Sequence, residues 1–251
     1  MNEDKFTGKA NTYTKYRPSY PDDLIKYLYS QVGLKKDSVI ADIGSGTGIL
    51  TRLLLLQNSF VYGVEPNEDM RKTAEDRLSE YKNFISVNVS AENTGLSDLS
   101  IDFITVAQAF HWFDRQKFRI ECKRILKEKG KVILVWNSRD ILSELVIKND
   151  EINRKYCPGY MGFSGGMENN GPEEYRDFFK DGIYEYKVFN NDLIFDEDGF
   201  IGRNMSASYS PHHGTENYAP YISALKQLFE RYSVSGYLRM PNLTRAYVGG
   251  V

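Results

Sequence analysis

The stretch Val39–Leu50, VIADIGSGTGIL, decides how this chain folds. A short apolar run carries one acid, Asp42, and is followed by Gly44, Gly46 and Gly48 at alternate positions. A second apolar run, ILTRLLLLQ, begins at once. That is the pattern of a strand, a tight turn and a helix opening at the glycines. What the glycines hold is the next question. A phosphate loop needs G-x-x-x-x-G-K-[ST], and no Lys follows here. A dinucleotide turn needs G-x-G-x-x-G, and this spacing is one residue short. The third reading is a turn that binds nothing.

Working outward, YPDDLIKYLYSQVG (20–33) reads as a helix, with Pro21, Asp22 and Asp23 suited to its start and Gly33 to its end. Strands are expected at 60–65, 84–89, 101–108 and 131–136. Helices are expected at 67–81, with Met70, Ala74 and Leu78 in register, and at 115–130, capped by Asp114 and stopped by Gly130. Five short apolar strands alternating with helices imply an α/β fold with a doubly wound, mainly parallel sheet and helices on both faces. Ligands of such sheets bind at the carboxyl ends of the strands.

The last third is less regular. Residues 140–156 read as a helix, 157–172 as a loop rich in Gly, Asn and Pro, and 184–195 as one strand. Helices follow at 196–208 and 217–232, and one or two strands at 236–250. We read 1–251 as a single domain. Residues 1–36 form an N-terminal arm and helix, 37–139 the ligand-binding core, and 140–251 a substrate-side insertion with C-terminal strands, a helical and strand cap.

Composition narrows the function. With 41% hydrophobic residues the chain can bury a core, and a net charge of −2 lacks the basic excess of a nucleic-acid binder. Two cysteines, Cys122 and Cys157, without metal spacing point to a reducing compartment. The polar N-terminus has no signal-peptide core, and no apolar run nears membrane-span length. The expectation is a cytoplasmic protein with no membrane and no nucleic-acid partner. Oligomeric state is not legible.

The surroundings favour a ligand at the glycines. Glu65 ends the second strand, 21 residues beyond Gly44, where an acid can accept both hydroxyls of a ribose. SAENTGLSD follows the third strand and AQAFHWFD the fourth, so four loops are expected to meet at one end of the sheet.

ADIGSGTG, GVEPN, SAEN and AQAFHWFD, in this order and spacing over residues 38–136, resemble the class I S-adenosylmethionine-dependent methyltransferases. The arm YTKYRPSYP and the tail NMSASYSP are similar to a narrower group, the small-molecule enzymes resembling trans-aconitate methyltransferase. The resemblance implies a Rossmann-like methyltransferase fold, S-adenosylmethionine as cofactor and S-adenosylhomocysteine as product. It implies that Gly44, Ser45 and Gly46 pass close to the methionine part, the glycines lacking a Cβ that would strike the ligand. Asp42 would organise the loop and help receive the amino group. Glu65 would take the ribose, Pro66 and Met70 would lie near the adenine, and Ala91 and Glu92 would flank its polar edge. Ala107 and Gln108 would sit beneath the sulfonium. Tyr13, Tyr16 and Arg17 lie in an arm that would fold over the site, with Arg17 or a tyrosine reaching the cofactor carboxylate and Tyr16 facing the acceptor.

Methyl transfer from a sulfonium is an in-line displacement, so alignment and exclusion of water matter most. A carboxylate acceptor needs no base, whereas a phenol, amine or carbon acid calls for one. His111, one of three histidines, is the candidate base or orienting group. Trp112 is read as a pocket wall, and Trp136, Ser206, Ser208 and Tyr209 as acceptor neighbours, with Arg203 supplying charge for an acidic acceptor. His212 and His213 lack ligand spacing, and no metal is expected. The expected partner is a small-molecule acceptor, with a carboxylic acid favoured. Alternatives are carbon or nitrogen methylation with His111 as base, a cofactor-binding protein without transferase activity, and a dehydrogenase, which the glycine spacing disfavours.

Overall fold

The computed structural model describes residues 18–163, 171–207 and 209–251. Tyr13, Tyr16, Arg17 and Ser208 lie outside the described residues. Among the described residues the strands are β1 (Val39–Ile43), β2 (Phe60–Val64), β3 (Phe84–Val87), β4 (Ile101–Ala107), β5 (Leu126–Arg139), β6 (Glu185–Asn190), β7 (Leu193–Phe195), β8 (Leu238–Met240) and β9 (Asn242–Gly249). The α-helices are α1 (Asp22–Tyr27), α2 (Ile49–Leu55), α3 (Glu68–Leu78), α4 (Arg115–Ile125), α5 (Glu144–Tyr156), α6 (Glu197–Met205) and α7 (Tyr218–Tyr232). A π-turn, Leu28–Val32, prolongs α1 to Gly33.

Seven strands form one sheet in the order β3-β2-β1-β4-β5-β9-β6, and β3 through β5 pair in parallel. The five expected core strands are therefore all present, in a Rossmann-like arrangement. Strand alternation explains why helices cover both faces. Ala41, Ile104, Leu134 and Trp136 pack into one buried cluster with Phe118 and Ile125 of α4. Ile40, Phe103, Ile133 and Val135 pack into the other with Leu24 of α1, Leu54 of α2 and Leu78 of α3.

The chain divides into two compact units. The first comprises the described parts of Met1–Asn137, Gly171–Phe189 and Thr244–Val251, and carries the large sheet. The second comprises the described parts of Ser138–Asn170 and Asn190–Leu243. It holds α5, α6 and α7 with the antiparallel pair β7 and β8, around a cluster that includes Phe200, Tyr221, Leu225 and Leu238.

Two segments differ from expectation. The helix expected over 115–130 ends at Ile125, because the amides of Leu99 and Ser100 donate to the carbonyls of Arg124 and Ile125 and close its end. LKEKG then belongs to β5, with a register shift opposite Ile101 and Phe103. Gly130 is thus no helix stop. It lies in the strand, where a Cβ would come within 2.7 Å of Leu126 and 3.0 Å of the Lys127 carbonyl. The strand expected over 184–195 is two strands in different sheets, broken where the Asn191 amide donates to the Asn242 carbonyl. Over 236–250 the chain takes the two-strand form of the expectation, with β8 and β9 separated by Pro241, which has no amide proton for a ladder.

Candidate functional site

Strand order reverses between β1 and β4, and ligands of such sheets bind at the carboxyl ends of the strands beside that switch point. Four loops meet there through specific bonds. After β1, the amides of Gly44 and Ser45 donate to the Val64 carbonyl, and Gly48 donates to Ser45. Glu65, following β2, accepts from the Gly46 amide with Oε2 and from the Asn67 amide with Oε1, both at 2.9 Å. Glu92, following β3, accepts from the Asp114 amide at 2.9 Å. Asp114 in turn caps α4, accepting from Gln116 and Lys117.

The glycines have separate jobs. Gly44 adopts φ +68°, and a Cβ on it would lie 2.5 Å from the Ala109 Cβ and 3.2 Å from Phe113. Its missing side chain makes room for the β4 loop. Gly48 is closed similarly, by Leu78 at 2.8 Å. Gly46 differs: it adopts φ +55° with no described residue within 4 Å of its Cβ position. Of the three turn glycines, Gly46 alone is left open by the described residues.

Asp42 is buried and bonded on both oxygens, accepting from Thr51 at 2.6 Å and Thr105 at 2.7 Å. Loss of solvent pushes its pKa up to about 6, and the two threonine bonds oppose the rise. Burial also raises the Glu65 pKa, against the two backbone amides and Arg71, which lower it. Arg71 donates to the carbonyls of Glu65 and Pro66, pinning the turn that aims the carboxylate. Met70 is buried in the first turn of α3, where its amide is capped by the Asn67 side chain. Ala91 is buried in the cluster that contains Val64 and Ala109.

Past β4, Gln108 takes a left-handed φ of +61°, an uncommon geometry for a residue with a side chain. Its side chain donates to the Asn137 carbonyl at 3.1 Å. Asn137 donates to the carbonyls of Pro18 and Ser19 and accepts from Thr244. It thus ties the entry of the chain to the ends of β4, β5 and β9. Asn137→Ala is expected to cost about 1–3 kcal/mol, read by urea denaturation; a loss below about 0.5 kcal/mol would show that the tie is not structural. His111, exposed in a single 3₁₀ turn at Phe110–Trp112, has ring centroids of Trp112 at 4.4 Å and Trp136 at 5.3 Å. Trp136 also stacks on Tyr175.

The structure therefore brings together Asp42, Gly44, Ser45, Gly46, Glu65 and Pro66, then Ala91 and Glu92, then Ala107, Gln108, His111, Trp112 and Trp136. Arg203, Ser206 and Tyr209 belong to the second unit. There the Ser206 hydroxyl donates to the Arg203 carbonyl at the end of α6, and Tyr209 packs edge-on against Tyr160. Thr51, Thr105, Arg71 and Asn137 were missed from sequence. A polar residue in the buried β4 run was a usable sign for Thr105; for the others only folding reveals the partner. Among the described residues no three His, Cys, Asp or Glu side chains gather to hold a metal, and no helix is long and apolar enough to cross a membrane. Cys122 and Cys157 are buried and unpaired.

The sheet order, the glycine turn and the acid after β2 define a Rossmann-like methyltransferase fold. Residues 41–134 match the family described as "Methyltransferase domain". A Dictyostelium discoideum protein assigned as a methyltransferase is 38% identical over 136 residues, 54% of this chain and 49% of its own length. A type II methyltransferase assigned from Anaeromyxobacter dehalogenans has a TM-score of 0.67 at 19% identity, covering 94% of this chain and 98% of its own. Phosphoethanolamine N-methyltransferase 2 of Haemonchus contortus, solved with phosphomonomethylethanolamine and S-adenosylhomocysteine, has a TM-score of 0.55 at 17% identity, over 99% of this chain and 59% of its own. Residues 41–134 are thus similar to a methyltransferase domain, and the chain shares the fold of S-adenosylmethionine-dependent methyltransferases. It spans about half the length of the curated relatives it matches.

Proposed function

We propose that this protein transfers the methyl group of S-adenosylmethionine to a small-molecule acceptor in the cytoplasm, with a carboxylic acid as the favoured class. The observation that carries the reading is Gly46, left open by the described residues, whose amide is held by the Glu65 carboxylate. A carboxylate oxygen has more than one acceptor site, so Glu65 can keep its amide bonds and still receive ribose hydroxyls. Asp42 and Ser45 shape the turn for the amino-acid part. Pro66, Met70, Ala91 and Glu92 frame the adenine, and Ala107 and Gln108 floor the methyl-transfer position. Bound S-adenosylmethionine supplies an electrophilic methyl on a good leaving group. The chain's work is then to bind, align and keep water out.

We take 1–251 to act as one methyltransferase domain, with Trp112 and Trp136 beside the acceptor. Arg203, Ser206 and Tyr209 stay candidates on the sequence alone, as do Tyr13, Tyr16 and Arg17 of the arm. A second reading, carbon or nitrogen methylation with His111 as base, is favoured by the exposed His111 ring at the end of β4. The test is calorimetry with S-adenosylmethionine, S-adenosylhomocysteine and NAD on the wild type and Glu65→Ala. The two sulfur ligands are expected to bind, NAD not, and the variant to lose at least about tenfold in affinity. Binding of NAD alone, or an unaffected variant, overturns the proposal.

A further inference from the structure

Arg71 is placed for more than closing a turn. It lies early in α3, where its own amide donates to the carbonyl of the cap residue Asn67. Its side chain is 13% exposed and reaches back along the chain, with Nη1 3.2 Å from the Glu65 carbonyl oxygen and 3.3 Å from that of Pro66. Its Nε lies 3.6 Å from Oε1 of Glu75, one turn further along α3. The same Glu75 oxygen accepts from the Ser86 hydroxyl of β3 at 2.6 Å. The guanidinium is therefore held on two sides, by the turn it grips and by a carboxylate tied to the edge strand of the sheet. The Glu65 amide is fixed as well, donating to the Val87 carbonyl at 3.0 Å.

A neutral donor would satisfy the two carbonyls, so the charge needs a reason of its own. Glu65 supplies it. Among the described residues, the charged groups that bear on the Glu65 carboxyl are Arg71 from α3 and Asp42 from β1. Burial is the largest influence and favours the protonated form, as does Asp42; the amides of Asn67 and Gly46 and the Arg71 charge favour the ionised one. Each Glu65 oxygen already accepts one amide. A proton on the carboxyl occupies an acceptor site that a hydroxyl would otherwise use. Only the ionised form keeps a free site on both oxygens.

Resting on the reading that Glu65 receives the ribose, we infer that Arg71 is a positioning residue for the cofactor: braced by Glu75 and Ser86, its guanidinium fixes the Glu65 turn, and its charge keeps the carboxylate in the form that accepts two hydroxyls. Cofactor affinity is then present above the Glu65 pKa and lost as pH falls through it. Without the Arg71 charge that pKa rises, so the loss begins at higher pH.

The experiment measures S-adenosylhomocysteine binding to the full chain by calorimetry at about pH 5.5 and about pH 8, for wild type, Arg71→Gln and Arg71→Lys. Glutamine keeps a donor for the carbonyls and removes the charge. Lysine keeps the charge and loses the planar fork. Titration of Asp42 is common to the three proteins and cancels when they are compared at one pH. Arg71→Gln is expected to lose at least about threefold more affinity at the lower pH than at the higher. Arg71→Lys is expected to lose about two- to fivefold at both. A purely structural role would lower affinity equally at the two pH values. If wild type binds and Arg71→Gln loses equally at both, or loses nothing, the inference is overturned and the methyltransferase reading stands. The same holds if Arg71→Lys matches the extra loss of Arg71→Gln at the lower pH. Should Arg71→Gln fail to fold, Arg71→Lys decides alone: an even loss supports the inference, and wild-type affinity or a loss confined to the lower pH overturns it. If wild type binds no S-adenosylhomocysteine at either pH, both readings fall.

Discussion

Gly44→Ala is expected to destabilise the protein by about 2–5 kcal/mol, the sum of a left-handed backbone strain of about 1–2 and core overpacking of about 1–3. The added methyl would sit 2.5 Å from the Ala109 Cβ, which is short and fixed to its backbone. Relief therefore requires the β4 loop to move, and with it Gln108 and His111. Gly46→Ala meets no such obstacle, since no described residue lies within 4 Å of its Cβ position. Its cost is the φ strain alone, about 1–2 kcal/mol. Its methyl instead enters the space assigned to the ligand, and S-adenosylhomocysteine affinity is expected to fall at least about tenfold. Urea denaturation and calorimetry on the two variants check the contrast. Equal losses of stability, or normal binding by Gly46→Ala, would remove the division of labour proposed for the loop.

The second large effect concerns Asp42 and has an unusual sign. Its folded pKa, about 6, is above the ordinary aspartate value of 3.8, so the folded state holds the proton more tightly than the unfolded chain does. Below about pH 4 both states are protonated and the residue costs nothing. Between about pH 4 and 6 the unfolded chain ionises first, and stability falls as pH rises. Above pH 6 the loss is complete, on the order of 3 kcal/mol. Asp42→Asn removes the charge, and its amide can still accept from one threonine and donate to the other. The variant is expected to be more stable than wild type at pH 8 by about 1–3 kcal/mol, raising the melting temperature by about 2–4 °C per kcal/mol. The two proteins should converge near pH 4. Parallel pH profiles, or a less stable variant at pH 8, would show that the buried charge carries no penalty. Loss of cofactor affinity in this more stable variant would explain why an acid is retained, as a trade of stability for binding.

Most of the core was legible because its information is local. Val39–Ile43, Phe60–Val64 and Ile101–Ala107 are short apolar runs between polar turns, and each is a strand. Asp114 and Asn67 cap helices by bonds to residues two or three positions ahead, a range sequence can read. The errors cluster where a distant partner decides. LKEKG is a strand because β4 lies beside it, and 184–195 divides because its two halves pair with different strands. Neither fact is written in the residues of those segments.

By itself the sequence determined the alternation of strand and helix, the parallel sheet that follows from it, the glycine turn, and the acid placed after the second strand. These depend on apolar periodicity and on spacing within a few dozen residues. Only the tertiary structure decided which glycine is closed by protein and which stays open among the described residues. It also decided that Asp42 is held by Thr51 and Thr105, that Glu65 grips Gly46, and that the buried Trp136 indole nitrogen has no partner among the described residues. Each of those is a contact, or a missing contact, between atoms far apart in the chain. Packing in three dimensions sets them, and no local pattern of residue types encodes them.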